Sequence, residues 1–484
     1  MTSLQHSAAE EPEITAGAPA GYRYRWMVLA IVLVADVMDL LDATIANLAG
    51  PSIRADLGGG DSTLQWVLAA YTLAFAIGLV TSGRLGDLVG RREMFLIGMV
   101  GFTAASLACG LAPSAGLLIG ARVAQGLFGA TMIPQGLAMV KQAFPPRDLA
   151  KAFIPFGPVM GLAAAGGPII AGILIDADLF GSGWRMVFLI NLPVGVVATL
   201  LGFRYLPEMP AAPRRHRLDL VGSALITAAS AALIYPLVQG REAGWPGWTF
   251  ALMGASVVLF ALFIWNERRS SYPVIEPSLF KHRGYVAGLL LLLTFFAGLA
   301  GFMLAFNLFV QLGLGFKPLY AGLALTPFAF GIALGSALSG AWLGPKLGRP
   351  IMHVGLIGIL LGIIMLGLTI EQWDVDVTSW QLAPGTLVAG VGTGLIFPPM
   401  FDLILADLDE NEVGTGAGLL NAVQQFGAAA GVAVLGTIFF QLLPTDGFAD
   451  AFGSVLGVAI GCWVASFAVV FLLPMRAREE LVVP

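Results

Sequence analysis

Charge is scarce in this chain. Asp, Glu, Lys and Arg make up 11% of its 484 residues, against about 25% in soluble domains, while 57% of the residues are hydrophobic. Mean hydropathy is +0.85. Those values exclude a soluble fold and place the chain in a lipid bilayer. Only two cysteines occur, Cys109 and Cys462, each within an apolar run. They read as packing residues and supply neither a disulfide framework nor a zinc site. The four histidines form no His-Glu-x-x-His, and no Gly-x-x-x-x-Gly-Lys loop is present, so metalloprotease chemistry and nucleotide hydrolysis lack their residues. No metal and no cofactor is expected. The net charge of −5 is scattered, which gives nucleic acid no basic footprint.

What is abundant is apolar sequence cut into lengths that fit a bilayer. A hydrocarbon core about 30 Å thick needs about 20 apolar residues per helix. Candidate spans are 26–50, 63–82, 93–112, 115–140, 151–176, 184–207, 218–240, 246–266, 284–312, 319–343, 351–370, 380–406, 412–441 and 451–474. The expected fold is an all-α polytopic membrane protein with 14 transmembrane helices and both termini cytoplasmic. Residues 1–22 are acidic, rich in Ala and Pro, and without a basic n-region, so they read as a disordered tail and not a cleaved signal peptide. They lead into the aromatic and basic segment Tyr22–Trp26, an interfacial anchor.

The basic residues orient these spans. With the amino terminus inside, twenty of the 25 Lys and Arg fall in inner loops and tails, four in outer loops, and Arg122 within a span. The bias alternates almost loop by loop, so a miscounted helix in the middle would reverse it afterwards. Six spans, then two, then six imply two bundles: 23–207, and 284–474 with a tail at 475–484. The segment 208–283 between them contributes a lipid-facing two-helix insertion with basic linkers. Glycine-rich fifth helices in each bundle, Gly157 to Gly172 and Gly414 to Gly436, echo a parallel internal repeat.

The first span contradicts its surroundings by carrying Asp36, Asp39 and Asp42. A carboxylate at the centre of a spanning helix costs about 2.5–3.5 kcal/mol on insertion scales, so such a helix faces a polar interior. Spacing of i, i+3, i+6 puts neighbouring acids about 60° apart around the helix, where ionising one disfavours ionising the next. Carboxyls poised in this way suit a transporter that takes up and releases protons. Asp42 lies about 12 Å from the outer end of its helix, and Arg122, in the fourth span, about 10 Å below the same surface. Pairing would lower the cost of burying both; Arg122 could equally tie backbone carbonyls. Gln125 shares its helix face at i+3, where it would contact substrate or bridge helices.

Between the second and third spans lies Gly83-Arg-Leu-Gly-Asp-Leu-Val-Gly-Arg-Arg92. Its glycines permit a tight turn, and Asp87 could form an ion-pair latch with Arg84, Arg91 and Arg92 across the inner face. The full pattern G-x-L-G-D-x-x-G-R-R resembles the cytoplasmic signature of the major facilitator superfamily. The resemblance implies a gating loop that includes Gly83, Asp87, Gly90, Arg91 and Arg92. Leu118-Ile-Gly-Ala-Arg-Val-Ala-Gln-Gly-Leu-Phe-Gly-Ala130 resembles that family's intramembrane Arg motif. Gly166-Gly-Pro-Ile-Ile-Ala-Gly172 resembles its antiporter motif, with Ala171 in place of a glycine, and marks Gly167, Pro168 and Gly172. Leu41-Asp-Ala-Thr-Ile-Ala-Asn-Leu-Ala-Gly-Pro51, with fourteen spans, is similar to the second drug:proton antiporter family, and Trp184–Pro193 also fits. The corresponding loop of the second half, Gly340–Arg349, has no acid and shifted glycines, so any latch there is built differently.

Polar residues are few in the second half. Asn307, Gln311 and Gln424, with Phe306, are the candidates for lining a cavity. An acidic first half facing an apolar, aromatic second half suits small amphiphilic and cationic compounds. The expected function is a proton-driven antiporter exporting drugs, antibiotics or metabolites as a monomer from the bacterial cytoplasmic membrane, with protons as its only co-reactant. A nutrient symporter on the same fold, a membrane-embedded lipid-modifying enzyme and a non-transporting sensor are the competing readings.

Overall fold

The computed structural model describes residues 22–145, 148, 152, 155–208, 219–270, 273, 275–409 and 412–476, and every element among them is helical. The first half contains α1 (Arg25–Leu57), α2 (Asp61–Val89), α3 (Arg91–Gly110), α4 (Ala115–Ala143) and α5 (Phe156–Asp176). It closes with the one-turn α6 (Met186–Leu189) and α7 (Asn191–Tyr205). A hairpin of α8 (Leu220–Gln239) and α9 (Gly247–Arg269) follows. The second half comprises α10 (Arg283–Leu308), α11 (Pro318–Leu338), the short α12 (Gly344–Leu347), α13 (Pro350–Trp373), α14 (Ser379–Leu405) and α15 (Val413–Val470). The expected tails at 1–21 and 477–484, and the linker 209–218, lie outside the described residues.

Eleven helical stretches among the described residues are long and apolar enough to cross a bilayer. α1 is not one of them, because its three aspartates interrupt an otherwise apolar run. α5 contributes the shorter apolar stretch Gly166–Asp176. α15 runs for 58 residues where two spans were expected, and it departs from helical geometry at Gly447, whose φ of +83° suits glycine.

In the first half α4 is the common partner of α2 and α3, and in the second α14 is the common partner of α11 and α13. The halves meet through α2 against α15 and α5 against α11. α9 pairs with α8 and leaves Phe250, Val257, Val258 and Trp265 exposed, an apolar face that suits lipid.

Two arginines do the same work in the two halves. Arg92, at the start of α3, donates to the Phe203 carbonyl near the end of α7 at 2.8 Å. Arg349, just before α13, donates to the Phe471 and Leu473 carbonyls past the end of α15, both at 2.7 Å. Each satisfies carbonyls that a helix end leaves without partners. The loop in the second half therefore keeps a cationic cap although its acid and its glycine spacing are gone. Gly90 joins α2 to α3 at φ +113°, and Gly348 precedes Arg349 at φ +61°.

At the end of the molecule where α1 stops and α2 begins, ion pairs tie the connections together. Asp56 accepts from Arg185 Nη1 at 2.5 Å and from the Trp184 indole at 3.0 Å. Asp61 pairs with Arg54 at 2.5 Å and with Arg241 at 2.7 Å. Glu242 accepts from the Ser62 backbone N–H and hydroxyl, both at 2.7 Å. The Arg185 hydrogen bond, followed by that from Trp184, holds the Asp56 carboxyl below the usual carboxylate range. A lowered folded-state value contributes stability that is present above the unfolded value of about 3.9 and is lost as pH falls below it. Asp56→Asn removes that contribution. Thermal unfolding followed from pH 6 to pH 3 is expected to show the wild type losing more of its midpoint than the variant below about pH 4. Parallel curves would mean that the clasp carries no net stability.

Candidate functional site

The carboxylates of α1 meet a polar set drawn from four other helices. Asp42, Arg122, Gln125, Ser106 and Asn191 are all buried, with Arg122 and Gln125 at 0% exposure. Arg122 Nη1 on α4 pairs with Asp42 Oδ2. Gln125, one turn further along α4, donates from Nε2 to Asp42 Oδ1 at 2.7 Å and to Ser106 Oγ on α3 at 2.9 Å. Asn191, the first residue of α7, donates to the same Asp42 oxygen at 3.1 Å. Arg122 is held in turn by the Gln125 carbonyl at 2.8 Å and, through Nε, by the Val67 backbone carbonyl on α2 at 3.0 Å. Its guanidinium lies over the Tyr71 ring, 4.1 Å from the centroid. A buried ion pair offsets its desolvation only when further donors and lone pairs are also engaged, and here Asp42 accepts from Arg122, Gln125 and Asn191 while Arg122 Nε and Nη1 are bonded.

Asp39 differs from Asp42. It is half-buried, and its carboxylate accepts from the Tyr71 hydroxyl. Tyr71 therefore touches both systems, through its hydroxyl to Asp39 and its ring to Arg122. Asp36 is half-buried and makes no hydrogen bond among the described residues. The three acids that share one helix thus occupy three settings: sealed among several donors, half-buried with one bond, and half-buried without one.

The structure brings together Asp42, Arg122 and Gln125, as the depth estimate and the i+3 spacing anticipate. Tyr71, Ser106 and Asn191 were not singled out. For Asn191 a signal existed, because it sits seven residues into its span, about 10 Å deep and level with Arg122. Tyr71 and Ser106 leave no comparable trace in their apolar runs.

Other named residues lie elsewhere. Gly167 sits where a Cβ would strike the Thr44 hydroxyl and come within 3.5 Å of Leu41, so α5 lies close against the acidic helix. A Cβ on Gly172 would lie 2.5 Å from Leu319 Cα, and one on Gly322 would meet the Pro168 backbone. These pairs bring α5 and the start of α11 into backbone contact. Gly90 and Arg92 form the α2–α3 turn described above, and Arg91 is exposed beside them. The side chain of Asp87 and the position of Gly83 against its neighbours lie outside the described residues.

In the second half, Asn307 Nδ2 donates to the Asn47 carbonyl of α1 at 2.6 Å. Gln311, carried on a π-helical turn at Phe309–Gly313, donates to the Leu48 carbonyl at 2.8 Å. Phe306 is fully buried against Phe302 and Phe452. Gln424 keeps a buried Oε1 with no hydrogen-bond partner. Gln65 on α2 reaches the Val432 and Ala433 carbonyls of α15 at 3.3 Å. The hydrogen bonds of Gln65, Asn307, Gln311 and Leu319 between the two halves all lie toward the end where α1 stops and α2 begins. The halves are closed there.

His282, Asp409 and Glu412 are the one group of potential metal ligands among the described residues, with ligand atoms within 4.8 Å of one another. Glu412 Oε2 is engaged locally, with His282 Nε2 at 2.9 Å and with the Asp409 backbone N–H at 3.3 Å.

Residues 32–432 match the sequence profile of the Major Facilitator Superfamily. The chain is 50% identical over 443 residues to a probable actinorhodin transporter of Streptomyces coelicolor, a match covering 91% of this chain and 76% of that protein. It is 34% identical over 403 residues to the multidrug resistance protein Stp of Mycobacterium tuberculosis, covering 83% and 73%. Among solved structures, an auto-inhibited POT family peptide transporter superposes with a TM-score of 0.67 over 94% of this chain and 98% of its own, at 13% identity. That last likeness concerns the fold.

Proposed function

The chain belongs to the Major Facilitator Superfamily and is a multi-pass membrane transporter, not an enzyme, and from that premise we propose that it is a proton-coupled antiporter exporting small amphiphilic antibiotic-like compounds. The observation that carries this reading is the saturated Asp42–Arg122 pair inside the first half, with Asp39 joined to it through Tyr71. A fixed charge pair buried in a membrane protein marks a coupling site by default. The export direction rests on the relatives' names, which describe an actinorhodin transporter and a multidrug resistance protein.

In the proposed arrangement fourteen helices cross the cytoplasmic membrane of a bacterium with both termini inside, as the inward bias of Lys and Arg requires. The closed end is then the outer one, and substrate enters from the cytoplasm. With Asp42 ionised and fully engaged, the outer contacts of Asn307, Gln311 and Gln65 hold the halves together. Opening outward exposes the acids of α1 to external protons. Protonation discharges Asp42, releases the donors of Arg122, Gln125 and Asn191, and lets substrate leave before the outer contacts form again. Asp39, half-buried and singly bonded, serves as the exchangeable station, and the unpartnered Gln424 Oε1 offers an acceptor to substrate. One charge moved through about 150 mV supplies about 3.5 kcal/mol, enough for a gradient of a few hundredfold. No cofactor takes part, and one chain suffices.

Purified protein in liposomes loaded acidic inside, with a trapped pH dye, tests this. Adding an aromatic polyketide or a lipophilic cation is expected to collapse the gradient in proteoliposomes and leave protein-free liposomes unchanged. Uptake of substrate together with protons in the same direction would establish symport instead. A broad panel without response would remove drug export.

A further inference from the structure

A groove of about 400 Å³ runs along the outside of the first half between α1 and α7. Met27, Ala30, Ile31 and Val34 line one wall at i, i+3, i+4, i+7 spacing, and Pro193, Val194, Val197, Ala198 and Leu201 line the other. The helices are antiparallel there, so Met27 and Leu201 lie toward the same end of the groove. At that end Tyr24 and Tyr205 meet edge to face with centroids 5.2 Å apart. Each ring carries an arginine: Arg23 lies 5.4 Å from the Tyr24 centroid and Arg204 5.9 Å from that of Tyr205. Both arginines are exposed, and neither has a carboxylate partner among the described residues. Glu208, four residues beyond Arg204, pairs with neither. Arg25 contrasts with them, being neutralised by Asp148 at 3.5 Å.

From Arg23 to Val34 the wall is about 16 Å long, and from Arg204 back to Pro193 it is about the same, at 1.5 Å per residue. One leaflet of a hydrocarbon core is half of about 30 Å. The groove is therefore one leaflet deep, apolar along its length, and capped at its mouth by an aromatic pair with two free guanidinium groups. Phosphate is a group that a guanidinium binds well, through two parallel N–H donors. The segment bearing Arg23 is fixed, because the Tyr22 backbone N–H bonds the Ala143 carbonyl at 3.0 Å.

We propose that this groove is a binding site for an anionic phospholipid of the inner leaflet, with an acyl chain between α1 and α7 and the headgroup phosphate between Arg23 and Arg204. The leaflet assignment rests on the orientation proposed above; the site itself does not. Because one wall is the cytoplasmic half of the helix that bears Asp36, Asp39 and Asp42, an occupant of the groove braces the acidic helix from outside.

Native mass spectrometry of the full chain in detergent, titrated with phosphatidylglycerol or phosphatidylcholine, measures binding without reference to transport or orientation. The wild type is expected to retain phosphatidylglycerol at least fivefold more than phosphatidylcholine. Arg23→Gln/Arg204→Gln removes that preference, and Val197→Trp, which fills the groove while leaving both arginines, lowers retention to a similar extent. Both changes are at exposed positions, and an unchanged thermal midpoint confirms folding. Equal retention of the two lipids by the wild type would overturn the proposal, as would a preference that survives either variant or a dimer that forms in place of a lipid adduct. Failure of the liposome assay would leave this result standing, so the two readings fail separately.

Discussion

Replacing Asp42 by Asn lowers substrate-driven proton movement by about 100-fold or more, while the protein still inserts and purifies. The asparagine keeps an oxygen for Gln125 and Asn191 but cannot form the ion pair with Arg122. A fully buried guanidinium is then left without its counter-charge, which costs the folded state about 3–5 kcal/mol for buried pairs, and residue 42 can no longer take up or release a proton. Asp42→Glu restores the charge with one extra methylene and is expected to recover part of the activity. The measurement is the rate of dye response in acid-loaded proteoliposomes at saturating substrate, with thermal midpoints recorded alongside. If Asp42→Asn keeps more than half of the wild-type rate, coupling belongs to Asp39 or Asp36 and the saturated pair is a structural tie.

The second large effect is expected at the contact between α5 and α11. A Cβ on Gly172 would lie 2.5 Å from Leu319 Cα and 2.9 Å from the Pro318 carbonyl oxygen, both backbone atoms that cannot swing aside. Gly172→Leu adds a larger side chain still, so the closed outer end is unreachable without moving a whole helix. The variant is expected to rest with its outer end open and to lose transport nearly completely, while Asp42 and Arg122 remain paired. Cys109 and Cys462, which are not exposed, leave a quiet background for labelling. A cysteine placed at Gln311, 8% exposed in the closed form, then reports the state. It should react with a membrane-impermeant maleimide at least tenfold faster in the Gly172→Leu background than alone. Equal reactivity together with normal transport would mean that the close approach of α5 and α11 is incidental to the cycle.

Much of the framework was legible because membranes limit the choices. Apolar length sets the spans, the Lys and Arg bias orients them, and a charge inside a span must find a partner. Asp42 and Arg122 followed from that logic, since helix rise alone put them at one depth. The residues that complete the site were harder to see. Tyr71 is an aromatic residue in an apolar run, and Ser106 is a small residue in a helix rich in small residues. Nothing in their spacing separates them from packing residues. Asn307 and Gln311 were visible as polar residues but not as bonds to α1, because a side chain that seeks a backbone carbonyl leaves no complementary residue to find. The cap made by Arg349 was hidden for a related reason. Its targets are carbonyls more than a hundred residues away, and the loop motif around it has lost the features that mark its counterpart.

The closure at the end where α1 stops and α2 begins is addressed almost wholly to main chain. Asn307 and Gln311 donate to the carbonyls of Asn47 and Leu48, Gln65 reaches the carbonyls of Val432 and Ala433, and the Leu319 N–H answers Asp176. A seal of this kind does not depend on which side chains stand at 47, 48, 432 or 433. Substitutions there that keep the buried packing of Leu48, Val432 and Ala433 leave these hydrogen bonds in place.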